Sequence, residues 1–176
     1  MRGNVPLSVT RLKELTLINY IQITGKLFKE RAVFFGQYHQ TVSKHPIEIP
    51  ANFRGALDGR VVVTQGFDRN LLAMPVENFE SLAKLVSALS ITDPLARGLM
   101  RMLLGNATFC DIRRGGSILV PGVLKSFAGL DSEIVWVGQG KYLELWSGDL
   151  WSQQQQDLQD ADANATRFVS MNLAGL

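Results

Sequence analysis

Apolar and polar positions along the chain fall into short runs, and the runs occur twice. Ile47-Glu48-Ile49 alternates and stops at Pro50, after which Ala51-Asn52-Phe53-Arg54 opens a helical turn on an apolar-basic pair. Ile118-Leu119-Val120 does the same before Pro121 and Gly122-Val123-Leu124-Lys125. Downstream, Val61-Val62-Val63-Thr64-Gln65-Gly66 is answered by Ile134-Val135-Trp136-Val137-Gly138-Gln139, Leu71-Leu72-Ala73-Met74-Pro75 by Leu143-Glu144-Leu145-Trp146-Ser147, and Phe79 by Trp151. The spacing is 71 residues at the prolines and 72 at Phe79 and Trp151, so the offset is nearly constant across four blocks. That is the signature of an internal duplication. Each copy predicts a strand, a short helical turn, a strand, a tight loop and a strand. Apolar β-branched runs closed by glycine suit buried strands. Asp68-Arg69-Asn70 and Gly138-Gln139-Gly140 carry turn chemistry. Pro50 and Pro121 end their strands because proline cannot donate to a ladder.

A different period separates the copies. Val76, Phe79, Leu82, Ala83, Val86 and Leu89 recur at three- and four-residue spacing, which predicts an amphipathic helix. Thr92-Asp93-Pro94 predicts the start of a second helix, with a capping side chain and an early proline. Its apolar stripe is Leu95, Leu99, Met102 and Leu103, flanked by Arg97 and Arg101, and Gly105-Asn106 ends it. After Leu150-Trp151 a polar helix is expected over Ser152–Asp162, solvated and frayed. The resulting organisation is an extension over 1–32, a first unit over 37–78, a helical connection over 79–106, a second unit over 107–150 and a polar tail over 151–176.

Composition narrows the class. With 46% hydrophobic and 19% charged residues, a folded soluble protein is expected rather than a disordered one. No apolar run approaches the roughly 18 to 20 residues of a membrane span, and no secretory signal is recognisable at the start. The single cysteine, Cys110, excludes an internal disulfide framework and fits the cytoplasm. Net charge is +2, but residues 1–32 hold six Lys/Arg against two Asp/Glu, leaving the remainder slightly acidic. Bulk basicity therefore does not mark a nucleic-acid binder, and any such function must rest on a local patch. Residues 1–32 also stand outside the repeat. Val33 directly before Phe34-Phe35-Gly36 is what an internally read GTG start codon would give, so translation is expected to begin there, the alternative being a real disordered or helical basic arm over 1–32.

Several blocks taken together resemble the MraZ family of bacterial regulators. They are Phe34-Phe35-Gly36, Ile49 to Arg54, Leu103-Leu104-Gly105-Asn106-Ala107, Ile118 to Pro121, Ala128-Gly129-Leu130, Val137-Gly138-Gln139 and Glu144-Leu145-Trp146, covering about 34–151. The resemblance implies a mainly β (α+β) fold of two AbrB-like swapped-hairpin half-units, forming a pseudo-symmetric β-barrel with a helical connection. It further implies a ring-like homo-oligomer bound to direct repeats in the promoter of the division and cell-wall gene cluster, in the cytoplasm with the nucleoid.

In that family the loop before each Ile-x-Ile-Pro strand reads Asp-x-x-Gly-Arg. Here the first copy has Val42-Ser43-Lys44-His45-Pro46 and the second Arg113-Arg114-Gly115-Gly116-Ser117, so both signature arginines are replaced, by Pro46 and by Ser117. The candidate DNA contacts are therefore Lys44, His45, Arg113 and Arg114, which keep charge beside the lost arginines. Arg54 and Lys125 are read as surface charges or phosphate-positioning groups. The loss also motivates an alternative, a degenerate paralogue that keeps the scaffold and binds protein partners instead of DNA. Other chemistry lacks its residues. His39 and His45 have no companions at metal-ligand spacing, and Cys110 reads as a packed small apolar group. Gly115-Gly116 lacks the lysine of a phosphate-binding loop, and Trp136, Trp146 and Trp151 read as core or interface aromatics. No enzyme, cofactor, metal, membrane or small-molecule substrate is expected.

Overall fold

The structure, a computed structural model, describes residues 33–41 and 46–159. The expectations for residues 1–32, for Lys44 and His45, and for the end of the polar tail lie outside the described residues.

From Val33 onward the chain is built on one six-stranded antiparallel sheet, a two-stranded ribbon and five helices among the described residues. The first repeat supplies β1 (Gln37–Thr41), β2 (Ile47–Glu48), α1 (Ala51–Arg54), β3 (Arg60–Gln65) and β4 (Leu71–Met74). Helices α2 (Val76–Ser87) and α3 (Pro94–Leu103) follow. The second repeat supplies β5 (Thr108–Asp111), β6 (Ser117–Ile118), α4 (Gly122–Ala128), β7 (Glu133–Gly138), β8 (Leu143–Ser147) and α5 (Gly148–Gln159).

Strand order in the large sheet is β1-β7-β8-β4-β3-β5. The leading strand of each repeat therefore pairs with the other repeat: Tyr38 faces Trp136 in β7, and Cys110 faces Val61 in β3. β4 and β8 meet at the centre, Leu71 opposite Leu145. The ribbon joins the repeats again, with Ile47 opposite Ile118 and Glu48 opposite Ser117.

The barrel expectation is corrected here. β1 and β5 end the sheet as two edges and do not pair with each other, so it is open. β2 and β6 are too short to bridge it. Their one ladder ends after two pairs as the strands run through Ile49-Pro50 and Leu119-Val120-Pro121 into helices, and a proline cannot extend a ladder.

Val61 to Thr64 and Ile134 to Val137 are buried along their whole length, because each strand is covered on both faces. On one face α2 and α3 bring Phe79, Val86 and Leu103 against Val62, Leu72 and Met74. α5 brings Trp151 against Val135, Val137 and Trp146 in the corresponding place on the second repeat. The helix expected to begin at Ser152 starts at Gly148 instead, and Trp151 anchors it through Nε1, which donates to Gln37 Oε1 at 3.1 Å. The buried Thr64 hydroxyl donates to the Leu103 carbonyl at 2.7 Å, so the end of α3 is tied to the sheet. Two residues of the expected apolar stripes are not covered: Leu89 lies beyond α2, and Leu95 is 81% exposed. Among the described residues no helix is long and apolar enough to cross a membrane.

Candidate nucleic-acid interface

The loop from Ile112 to Gly116 leads into β6 and is shaped by its own backbone. The Arg113 amide donates to the Ser117 carbonyl at 2.8 Å, and the Gly116 amide donates to the Arg113 carbonyl at 2.9 Å. Closing so tight a turn requires positive φ at Gly115 and Gly116, 94° and 85°, which residues with a Cβ rarely adopt. The glycines thereby push Arg113 and Arg114 outward. Both are exposed, and neither guanidinium forms a hydrogen bond or ion pair among the described residues. They are the one adjacent pair of Lys/Arg in the described chain.

The loop is also tied to the first repeat at both ends. The Ile112 amide donates to the Gly59 carbonyl at 2.8 Å, and the Ile49 amide donates to the Gly116 carbonyl at 2.9 Å. The antiparallel register means that the chain enters the ribbon from Pro46 at one end and from Gly116 at the other. Of the four candidate contacts, the structure brings together Arg113 and Arg114; Lys44 and His45 fall outside the described residues.

Three other arginines are engaged by neighbouring groups of the fold. Arg60 Nε donates to Asp111 Oδ1 at 2.7 Å, across the pair β3–β5. Arg97 ties the turn before α3 by donating to the Ile91 and Thr92 carbonyls at 2.9 and 3.0 Å. Arg54, read from sequence as a surface or phosphate-positioning charge, donates from Nε to the Ile49 carbonyl at 2.6 Å and reaches Glu48 at 4.0 Å. Its guanidinium lies over Gly116, where an added Cβ would fall onto Nε and Cζ. Nothing local in the sequence announces this contact; the one signal is that a glycine stands where the loop meets the other repeat.

The remaining candidates resolve into structural groups. Cys110 is buried, and its Sγ donates to the Leu119 carbonyl at 3.4 Å. Burial, with a smaller contribution from Asp111, pushes its thiol up to about 11. His39 Nδ1 lies 3.0 Å from Glu133 Oε1 on the exposed surface, and among the described residues no three His, Cys, Asp or Glu side chains gather to hold a metal. Trp136, Trp146 and Trp151 are core aromatics, the last two packed with ring centroids 5.7 Å apart.

A family model described as "MraZ protein, putative antitoxin-like" matches residues 103–171. The chain is 41% identical over 125 residues to the transcriptional regulator MraZ of Thermomicrobium roseum, covering 70% of this chain and 88% of that one. It is 41% identical over 138 residues to that of Roseiflexus castenholzii, covering 78% and 94%. It is 34% identical over 143 residues to that of Moorella thermoacetica, covering 80% of this chain and all of that one. With identity at this level across nearly the whole of these relatives, the chain belongs to the MraZ family of transcriptional regulators, not to a family of enzymes.

Proposed function

We propose that this chain is a DNA-binding regulator that acts as an oligomer on repeated promoter elements of its own division and cell-wall gene cluster. The observation that carries the reading is the Arg113–Arg114 loop: two adjacent, exposed guanidinium groups on a double-glycine turn, with no side-chain partner among the described residues. Such groups suit phosphate contacts, which supply most of the affinity for DNA, while altered neighbours change which bases are read. Lys44 and His45 are the proposed counterparts from the first copy. In this reading 37–78 and 107–150 are swapped-hairpin units joined by 79–106, and the exchange of β1 and β5 between repeats supports it. Self-association is supported by apolar side chains left uncovered around the α2–α3 turn, Phe67, Leu89, Ile91 and Leu95. A ring would present many weak loops at the spacing of repeated boxes, and their combined affinity then exceeds that of one. The working location is the cytoplasm, at the nucleoid.

A second reading follows from the replacement of both signature arginines by Pro46 and Ser117: the scaffold persists and its partners are proteins. Fluorescence anisotropy separates the two. The duplex upstream of the chain's own gene, beside a scrambled duplex and over a salt series, should bind more tightly and weaken steeply with salt, and Arg113→Ala or Arg114→Ala should reduce binding. Equal or absent binding to both duplexes, by a chain shown by light scattering to be oligomeric, would leave the scaffold and remove the DNA function.

A further inference from the structure

We infer that Arg54 is a positioning residue, a clasp through which the first repeat holds the Arg113–Arg114 loop of the second; this rests on the DNA reading of that loop. Arg54 and Arg114 are 60 positions apart in the chain, yet three contacts converge on the same point. Arg54 Nε donates to the Ile49 carbonyl at 2.6 Å, while the amide of the same Ile49 donates to the Gly116 carbonyl at 2.9 Å. The guanidinium lies across Gly116, in the space where any side chain would need to sit. Arg54 thus touches both the strand end that the loop bonds to and the loop itself at Gly116. A loop of this kind otherwise loses conformational entropy when it binds, and holding it in advance reduces that cost. The repeats differ at this point. Displaced by 71 residues, Arg54 becomes Lys125 and Gly116 becomes His45, so the equivalent pair has neither the planar guanidinium nor the glycine that accepts it.

A positioning role and a phosphate contact make opposite demands on lysine at this place. Lysine keeps the charge but lacks the Nε donor beside the backbone carbonyl. Two variants of the full-length chain, Arg54→Lys and Arg54→Met, are therefore compared by amide hydrogen exchange and by anisotropy on the duplex described above. The clasp predicts that the Ile49, Arg113 and Gly116 amides exchange about tenfold faster in both variants, while amides of β7 and β8 keep their rates. It predicts that both variants bind DNA about tenfold more weakly, the loss of one charged hydrogen bond, with the slope of log K against log salt unchanged. Loop amides that exchange at the original rate in both variants overturn the clasp. Lysine binding as tightly as arginine, with methionine losing about one unit of slope, overturns it in favour of a direct phosphate contact. Arg54→Lys is the milder change and keeps the comparison available if Arg54→Met does not fold. An unaltered chain that binds no DNA defeats the function proposed above, whereas the exchange rates decide the clasp whatever the chain binds.

Discussion

The Cys110 thiol sits in β5, 3% exposed, and its pKa is pushed up to about 11 by burial and then by the neighbouring Asp111. An unfolded chain would ionise it at the ordinary 9.0. The folded state therefore binds the proton more tightly, and the stability this contributes is present below pH 9.0 and lost as pH rises toward 11. Because the thiolate is the nucleophile, iodoacetamide at pH 8 should alkylate the native chain about a hundredfold more slowly than the denatured one, two units of pKa corresponding to that factor. Equal rates in the two states would mean that the thiol is open to solvent. The packed role of Cys110 was legible in the sequence, since a lone cysteine among strand residues needs no partner. The role of Arg54 was not. Its contact depends on Gly116 arriving from the other repeat, and periodicity along the chain carries no information about such an approach.

Helix α3 is the element whose ends the sequence specifies most fully. Asp93 is its N-cap, with the side chain accepting from the Leu95 amide at 2.9 Å, and Pro94 occupies the first helical position, where an amide would be unsatisfied. At the other end Asn106 Nδ2 donates to the Arg101 and Met102 carbonyls at 3.0 and 3.2 Å. Gly105 lets the chain pass so close that an added Cβ would lie 2.6 Å from the Arg101 carbonyl oxygen. Replacing Asp93 with Ala should cost about 1 kcal/mol and lower the melting temperature by about 4 °C, while Asp93→Asn, which can still accept the bond, should lose little. Calorimetry of the two variants checks this, and equal losses would assign the effect to charge instead of capping. Element β1 shows the opposite case. Gln37-Tyr38-His39-Gln40-Thr41 has one large apolar residue, because an edge strand with half-exposed side chains needs no apolar alternation. Hydrophobic pattern therefore located the strands buried on both faces and missed this one. The same pattern identified the stripe of α3 but could not tell that Leu95 would remain uncovered, since a period gives the direction of a face and not what lies against it.

At the scale of the whole chain from Val33, the exchange of leading strands makes each repeat part of the other's core. β3 of the first repeat has β5 of the second as its outer neighbour, and β7 of the second has β1 of the first. α4 packs on β3 as well as β8, so this helix crosses over too. The duplication was legible from four matched blocks, but this pairing was not. Two repeats side by side and two repeats interlocked have the same sequence pattern and differ only in non-local contacts. The distinction has a thermodynamic consequence that the placement of tryptophan makes measurable. All three tryptophans, Trp136, Trp146 and Trp151, lie in the second repeat or on the helix that packs against it, so their fluorescence reports that half of the sheet. Val62 lies in β3 of the first repeat, fully buried under α2 and α3. Val62→Ala leaves a cavity there and should cost about 2 kcal/mol. If the halves unfold as one cooperative unit, the fluorescence midpoint in urea must fall by the amount that cost dictates, at unchanged slope. Circular dichroism, which sees all the strands and helices, must give the same curve. A fluorescence transition that stays in place while circular dichroism splits into two steps would mean that the repeats are stable separately, and the strand exchange would then carry little of the energy that holds them together.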